Sequence, residues 1–304
     1  MIHRLKFHAM GCGMEALLDS VSYPDILAEV PAWFEEWEQA LSRFRVDSEL
    51  SLLNGKAGEA VPVSQIMWDV FQASLDSERL TGGLVTPLIL KALLYAGYDR
   101  SFENLSFDTS RFLPDFAADV TSLKDVCADA SAQTIGLPQG AHLDFGGVAK
   151  GWAAHQAMER LKAAGPALVN AGGDIAISGP KQNGEKWPIG VDDPFDSHAD
   201  FVETFYLERG GIATSGKDYR RWVRNGIQKH HIIDPRTGLP AETDILTATV
   251  IAPTAMEAEA LAKAIMISGS RAGLARLNGD THLAGLLVLE NGERLYSQNI
   301  EGYL

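Results

Sequence analysis

Residues 167–252 constrain the fold of this chain most strongly, because they contain many short apolar runs. The runs have the length of strands rather than helices. The predicted strands are residues 167–170, 175–178, 188–191, 201–207 and 247–252. Helices do not alternate strictly with these strands, as they do around parallel sheets. The sequence therefore predicts an α+β fold with a mixed or antiparallel sheet.

Helical spacing of apolar residues predicts packed helices over residues 31–44, 64–80 and 148–164. Another helix is predicted after Thr254, which forms a capping-box pattern with Glu257, and Gly269 is expected to end it. Residues 5–18 predict two strands joined by a bend. Near the C-terminus, Asn291-Gly292 predicts a hairpin with a type I′ turn. Residues 105–122 lack periodicity and predict a loop or a short hairpin.

Charge and composition restrict the ligands. The 304 residues include 40 acidic and 26 basic side chains, for a formal net charge of -14. Such a chain repels a phosphate backbone, so nucleic-acid binding is not expected, and an anionic ligand needs a local cation. Two cysteines are too few for a disulfide scaffold. We expect no membrane segment, and a cytoplasmic location for the chain as given, with a removed leader left open.

Two short motifs resemble known nucleotide sites without their context. Residues 11–16 match a GxGxxA dinucleotide fingerprint, which needs a following helix, whereas the next residues favour a strand. A plain turn is therefore preferred, and a Rossmann oxidoreductase stays an alternative that requires a helix after Gly13. The Asp144-Phe-Gly146 tripeptide lacks the rest of the protein-kinase set and is excluded as a kinase signal.

Three segments rich in small residues, 144–151, 170–174 and 210–216, are each compatible with a simple turn. Their number favours a shared ligand cradle, because glycines let a backbone approach a ligand closely. Lys150 lies near a predicted helix start, where its charge opposes the helix dipole. An anion nearby would explain that placement. A solvated lysine in a tight turn is an equal alternative.

Three polar side chains near the C-terminal half are candidate catalytic groups. His231 suits a general base near neutral pH, although a lone histidine is more often structural. Glu259 and Lys263 lie four residues apart on one predicted helix face. An ordinary helix pair, contributing roughly 0.2–0.5 kcal/mol, is the favoured interpretation when the pair is taken alone. The functional alternative is a phosphate or metal site.

Taken in order, the segments resemble the ApbE family of FAD:protein FMN transferases. The resemblance covers nearly the whole chain, so it implies a single domain over residues 1–304 with a T-fold-like, largely antiparallel sheet. It is carried by residues 10–11, 42–44, 47–54, 81–87, 144–151, 170–174, 214–216, 219–220, 231–238 and 249–269. The Ser-Glu-Leu-Ser, Thr-Ser-Gly and His-Ile-Ile-Asp-Pro-Arg-Thr-Gly pieces are specific in combination.

The resemblance implies an enzyme that cleaves the pyrophosphate of FAD. A Ser or Thr of a target flavoprotein attacks the FMN-side phosphorus, a phosphoester forms and AMP leaves. The family's catalytic groups would correspond to His231, Glu259 and Lys263. Magnesium would be held by the Gly147 backbone oxygen and by side chains 259 and 263. The FAD site would comprise Met10, Phe44, Leu84, Val85, Thr86, Asp144, Lys150 and Ile233.

Departures from the family pattern concentrate at the expected metal site. Thr86-Pro87-Leu88 replaces the usual Asp-Pro-Thr, His155 replaces an Asp, and Phe44 replaces a Tyr. Glu259 and Lys263 stand where Asp and Thr are usual. A protonated lysine has donors alone and cannot ligate a metal, so we expect weaker magnesium dependence, or none, with Lys263 as a fixed charge. An FAD-binding protein without transfer activity, and an FAD pyrophosphatase giving FMN and AMP, stay open as alternatives.

Overall fold

The computed structural model describes residues 1–105, 122–196, 201–224 and 226–304. The predicted loop or hairpin between residues 105 and 122 lies outside these ranges. The helices of the described ranges are α1 (Val30–Leu41), α2 (Glu49–Gly55), α3 (Gln65–Thr81), α4 (Leu90–Ala96), α5 (Ala149–Leu161), α6 (Ala255–Ser268) and α7 (Ser270–Asn278). None of these helices combines the length and the hydropathy needed to span a bilayer.

Strands make up the second part of the architecture. The first nine are β1 (Ile2–Ala9), β2 (Cys12–Asp19), β3 (Ala60–Pro62), β4 (Cys127–Asp129), β5 (Thr134–Gly136), β6 (Ala167–Ala171), β7 (Asp174–Ile177), β8 (Trp187–Val191) and β9 (Glu203–Leu207). The remaining strands are β10 (Gly210–Gly216), β11 (Arg221–Arg224), β12 (Ile227–His230), β13 (Ile233–Asp234), β14 (Leu239–Pro240), β15 (Ile245–Ala252), β16 (Ala284–Leu289) and β17 (Arg294–Tyr296).

An eight-stranded sheet organises the molecule, in the order β1-β2-β6-β7-β10-β15-β16-β17. Every pair of neighbours in it is antiparallel. The α+β prediction with a largely antiparallel sheet is therefore confirmed. The alternative of a Rossmann oxidoreductase is wrong, because the residues after Gly13 continue strand β2 and pair with β1, with Ala16 opposite Leu5.

Both faces of the sheet are covered, which explains its apolar sequence. In β2, Leu18 packs on the face that carries α1 and α5, whereas Leu17 packs on the opposite face under the β8–β9 hairpin. In β15, Val250 packs toward α6 and Ile251 toward the hairpin side. This alternation of neighbouring side chains is the period of a strand. Helices α5 and α6 consequently lie side by side against the centre of the sheet.

Several helix boundaries differ from the sequence predictions. Helix α1 ends at Leu41 rather than at residue 44, because Ser42 adopts an extended backbone and the chain turns away. Helices α2, α4 and α7 were not predicted. Two of them are only seven residues long, too short for a clear helical period, although Ser48 does cap α2 by accepting from the Ser51 amide at 3.0 Å.

Two local details also correct the predictions. The Thr254 hydroxyl accepts from the Glu257 amide at 3.2 Å, but Glu257 returns no bond in the described structure, so the capping box is half formed. The turn at Asn291-Gly292 is not type I′, which needs positive φ at both central residues. Gly292 alone has positive φ (86°), and its amide donates to the Leu289 carbonyl at 3.0 Å. The hairpin itself is confirmed.

Candidate active site

A cavity of about 490 Å³ opens beside the ends of α1, α5 and α6. Its volume lies within the roughly 300–1,000 Å³ typical of small-molecule sites. Most of the residues predicted to form the site line it: Met10, Phe44, Leu84, Val85, Thr86, Asp144, Gly147, Lys150, His231, Ile233 and Lys263. Glu259 is the exception, since its side chain is fully enclosed beneath the cavity wall. Nearly all of the residues predicted from the sequence therefore lie around one cavity, while the role of each residue stays a prediction.

The loop between residues 144 and 147 is fixed by a buried ion pair. Arg43 Nε lies 2.6 Å from Asp144 Oδ2, and both side chains are 7% exposed. The other carboxylate oxygen of Asp144 accepts from the Gly146 amide at 2.8 Å. Arg43 also donates to the Tyr98 carbonyl at 2.9 Å. Arg43 thereby joins the end of α1 to the loop that leads into α5.

Aromatic rings form one part of the cavity wall. The Arg43 guanidinium lies 4.1 Å from the centre of the Phe44 ring and 4.7 Å from that of Tyr98. Phe44 and Tyr98 are 5.8 Å apart, and Phe102 and Tyr219 are 5.5 Å apart. Planar rings bind well to such surfaces through stacking and cation–π contacts. This part of the cavity suits a flat aromatic ligand.

Two lysines and two carboxylates meet at another part of the site. Lys263 Nζ donates to Glu259 Oε1 at 2.9 Å, and the Gly151 amide donates to Glu259 Oε2 at 2.8 Å. Lys150 Nζ pairs with Asp174 and lies 3.8 Å from Glu259 Oε1. The two lysines line the cavity, whereas neither acid does. The cations thus face the cavity and the anions stand behind them.

Close packing of α5 against α6 makes this cluster possible. A Cβ atom at Gly151 would lie 2.8 Å from the Ala255 carbonyl oxygen and 2.8 Å from Glu259 Oε2. Any larger residue would therefore push α6 away and break the bond from the Gly151 amide to Glu259. The glycine at this position serves the ion cluster directly.

The environment sets the charge of each group in the cluster. Burial raises the pKa of Asp174 to about 6, with a further contribution from the Glu259 charge. Burial by itself would lower the pKa of Lys150, but Asp174 and Glu259 outweigh it and raise that pKa to about 12. Burial would raise the pKa of Glu259, yet Lys263 and Lys150 prevail and lower it. Glu259 is therefore an anion, and Lys150 a cation, at neutral pH.

His231 stands on the cavity wall in a form that can accept a proton. Its Nδ1 lies 3.4 Å from the Arg220 carbonyl oxygen, which can accept but not donate, so Nδ1 carries the hydrogen and Nε2 keeps its lone pair. Burial, with the charges of Arg220 and Lys263, holds the pKa of His231 well below its usual value. The neighbouring His230 instead bonds the Ala241 carbonyl and does not line the cavity.

The predicted magnesium ligands do not form an oxygen cage. Magnesium requires near-octahedral oxygen coordination. Both carboxylate oxygens of Glu259 already accept from nitrogen donors, and the Lys263 ammonium can only donate. Within the described ranges, no three His, Cys, Asp or Glu side chains converge as a metal site. The residues present therefore do not fit this ion.

The shared glycine-rich cradle was predicted too broadly. Of the three segments, residues 144–151 contribute to the cavity wall, whereas 170–174 and 210–216 do not. Residues 210–216 form β10, where a Cβ at Gly211 would lie 2.2 Å from the Ala255 amide nitrogen, so small residues there let α6 approach the sheet. Residues 172–173 form the tight turn between β6 and β7, and the rest of the 170–174 segment belongs to these two strands.

Three further residues at the site were not among the predicted site residues. Arg43 belongs to the Ser42-Arg-Phe44 piece, and Arg220 to the Tyr219-Arg220 piece. Asp174 follows the Gly172-Gly173 turn, and the expected anion beside Lys150 was the signal that could have identified it. The alternative of a solvated Lys150 is wrong, since its side chain is 16% exposed. His155 does not line the cavity, and burial lowers its pKa.

Comparisons with known proteins place this geometry in a wider context. The model of the ApbE family matches residues 10–287. An FAD:protein FMN transferase from Treponema pallidum is 30% identical over 264 residues, which cover 80% of this chain and 71% of that protein. The crystal structure of an ApbE protein from Thermotoga maritima superposes with a TM-score of 0.87 at 27% identity, covering 100% of this chain and 99% of the other.

A second solved structure supports the same fold. The flavin transferase ApbE from Vibrio cholerae superposes with a TM-score of 0.78 at 22% identity, and the match covers 100% of this chain and 99% of that one. At this level of identity the likeness concerns the fold. The eight-stranded antiparallel sheet with its flanking helices is thus an architecture with known representatives.

Proposed function

The chain belongs to the ApbE family, and we propose that it is an FAD:protein FMN transferase. FAD is its substrate, and a target protein accepts the FMN. The observation that carries this function is the cavity, which joins an aromatic surface to a pair of lysines in a protein of net charge -14. FAD carries the matching groups, because it combines a flat flavin ring with a negatively charged diphosphate.

The reaction needs a nucleophile, a base and charge neutralisation. The acceptor Ser or Thr oxygen attacks the FMN-side phosphorus and forms a phosphoester bond. The bond from that phosphorus to the bridging oxygen breaks, and AMP leaves with the oxygen and its electron pair. The proton of the acceptor hydroxyl passes to a base. Phosphoryl transfer depends mainly on such positioning and on offsetting the negative charge.

His231 is the proposed base. Its Nε2 lone pair is free for a proton, and its lowered pKa keeps the ring neutral under physiological conditions. A base positioned at the reacting hydroxyl typically contributes about 10²–10⁴-fold to the rate. We accordingly assign proton transfer to His231, charge neutralisation to Lys150 and Lys263, and a supporting role to Glu259.

The remaining predicted residues are proposed to hold FAD. Phe44 offers its ring to the flavin on the aromatic surface, and Met10 and Ile233 contribute apolar surface. Residues 84–86 and Asp144 also line the cavity, which supports a contact with FAD. Phe44 keeps the stacking surface of the family's usual Tyr but lacks its hydroxyl.

One incubation separates the proposed function from its alternatives. The protein is mixed with FAD and a flavoprotein that offers a Ser or Thr acceptor, and the products are weighed by mass spectrometry. An acceptor heavier by one FMN, with AMP released, supports transfer. Free FMN without a modified acceptor indicates an FAD pyrophosphatase. FAD bound and intact indicates a binding protein without transfer activity, the outcome that the altered residues at 259 and 263 favour among the alternatives.

The neighbouring histidines supply a matched pair of variants for the same assay. His231→Gln is expected to lower the transfer rate by about 10²–10⁴-fold while leaving FAD affinity within severalfold. His230→Gln removes the adjacent imidazole, which does not line the cavity, and is expected to keep most of the activity. Equal rates for wild type and His231→Gln would remove His231 from the mechanism.

Magnesium dependence is proposed to be weak or absent, since the donors at Glu259 and Lys263 do not suit this ion. Transfer measured in EDTA and at rising magnesium concentration tests this directly.

A target flavoprotein is the expected partner. The cytoplasmic location stays a prediction. The single domain over residues 1–304 is also a prediction, supported by a sheet whose two edge strands come from the two ends of the chain.

A further inference from the structure

The carboxylate of Glu259 is saturated by nitrogen donors. It is 0% exposed, and its two oxygens accept from Lys263 Nζ at 2.9 Å and from the Gly151 amide at 2.8 Å. Lys150 Nζ lies 3.8 Å from the same oxygen that Lys263 contacts. A single carboxylate oxygen therefore has both ammonium groups within ion-pair distance.

We propose that Glu259 is a positioning residue that fixes the ammonium groups of Lys150 and Lys263 as a permanent two-cation clamp for the FAD diphosphate, in place of a divalent metal ion. The proposal rests on the transferase function proposed above. It assigns residue 259 the holding of two cations, where the family pattern implies a metal ligand.

Electrostatics explain why the clamp needs the carboxylate. Two ammonium groups near one carboxylate oxygen are close to each other, and their mutual repulsion in a poorly solvated site is large. The negative charge of Glu259 offsets that repulsion. Asp174, which is 1% exposed, gives Lys150 a second anchor on the side away from the cavity. Each lysine thus keeps N–H donors for a ligand while its position is fixed.

The clamp also matches the charge of the ligand. The FAD diphosphate carries one negative charge on each phosphate group, and the two lysines offer one positive charge each. Lysine binds phosphate as a compact point charge. When the bridging oxygen leaves with its electron pair, the lysine N–H groups can offset the new charge. Prepositioned donors need no rearrangement at that moment, which favours the reaction.

The first test measures FAD affinity by titration calorimetry in EDTA. Wild type should bind FAD with the same affinity in EDTA and in magnesium. Lys263→Met should lose about 10- to 100-fold in affinity, as expected for one charge-assisted hydrogen bond. Lys263→Arg keeps the charge and should stay within severalfold of wild type. Lys162→Met removes a cation from the exposed Lys162–Glu159 pair and is the charge-matched control.

The second test rebuilds the family pattern at the same positions. The double variant Glu259→Asp/Lys263→Thr restores the usual oxygen-bearing pair. It should bind FAD weakly in EDTA and recover about tenfold or more of its affinity when magnesium is added, because the cation is again supplied by the ion. A magnesium-independent wild type beside a magnesium-dependent double variant supports the clamp.

Several outcomes overturn the proposal. A wild type whose FAD affinity requires magnesium contradicts it, and so does a folded Lys263→Met variant that binds FAD as tightly as wild type in EDTA. A double variant that ignores magnesium also counts against it. Failure of the transferase function looks different: FAD binds with the predicted lysine dependence in EDTA, but no FMN reaches the acceptor.

Discussion

Two buried ion pairs border the same cavity and differ in what they leave accessible. In the Arg43–Asp144 pair, both side chains are 7% exposed, Arg43 also donates to the Tyr98 carbonyl, and Asp144 also accepts from the Gly146 amide. In the Lys263–Glu259 pair, the acid is 0% exposed while the lysine is 15% exposed toward the cavity. Both members of the first pair line the cavity, so their charges offset each other there, whereas the second pair presents its cation alone.

This difference indicates different uses of the same kind of interaction. A buried pair whose members also bond the backbone of other segments holds those segments together, and breaking it leaves an uncompensated charge. A pair that presents its cation alone to a cavity, with its acid behind the wall, keeps donors for a ligand. Arg43–Asp144 thus fixes the shape of the site, whereas Lys263–Glu259 supplies its charge. Stability should depend on the first pair, and ligand affinity on the second.

Arg43→Ala is the change expected to cost the most stability. It leaves the Asp144 carboxylate buried without its cation, and it removes a guanidinium that packs on Phe44 and Tyr98. The free energy of unfolding should fall by about 3–5 kcal/mol, measured by urea unfolding. Arg45→Ala breaks the more exposed pair with Glu35 and should cost about 0–1 kcal/mol. Equal losses for the two variants would contradict the distinction.

Glu259→Gln should cost less stability and more affinity. The amide keeps a similar shape but leaves Lys150 and Lys263 without the charge that holds them together, and it places an NH₂ or a neutral oxygen opposite the Gly151 amide. We expect a loss of about 1–3 kcal/mol in the free energy of unfolding. FAD affinity should also fall, because the lysines move apart. Urea unfolding and calorimetry on one preparation measure both effects.

The sequence predicted the central features of the fold because they depend on local patterns. The hairpin over β1 and β2, the helix α3 and the strands of the central sheet all show regular apolar spacing. The cavity lining was located through glycine-rich turns and family motifs. Asp144, Lys150 and His231 lie in such motifs, and all three line the cavity.

The charge relations of the site could not be predicted in the same way. Glu259 looked like one half of an exposed helix pair, because its burial depends on Gly151, which lies 108 residues earlier in the chain. The pairing of Arg43 with Asp144 likewise joins two distant motifs. Positions 259 and 263 predicted a helix face, but the packing of α5 on α6 decides that the acid is enclosed and the lysine is not.

Lys263→Met should separate the effect on stability from the effect on FAD affinity most clearly. Glu259 keeps its bond from the Gly151 amide and its proximity to Lys150, so the loss of unfolding free energy should be about 1–2 kcal/mol. This is smaller than the effect of Arg43→Ala, although both variants remove the cation of a buried pair. Urea unfolding without FAD measures it. A loss as large as that of Arg43→Ala would mean that Lys263 acts mainly as a structural residue.

The smallest expected effect is the pH dependence of the free energy of unfolding. It depends on three histidines and on Asp174, the partner of Lys150. Burial lowers the pKa of His155, His230 and His231 below 6.5, so the unfolded chain takes up their protons first as the pH falls. Stability from these histidines is therefore lost below about pH 6.5. Asp174 acts in the opposite direction. Its folded pKa of about 6 exceeds the usual 3.8, so the folded chain binds that proton first.

Three histidines against one carboxylate predict a net decrease, on the order of 1 kcal/mol, in the free energy of unfolding between pH 7.5 and 5.5. Urea unfolding at the two pH values measures it. Asp174→Asn removes the opposing contribution and should steepen the decrease, whereas His155→Gln should make it shallower without touching the cavity. An unchanged slope in Asp174→Asn would show that Lys150 keeps Asp174 ionised across this range. The clamp would then carry two permanent anions behind its two cations.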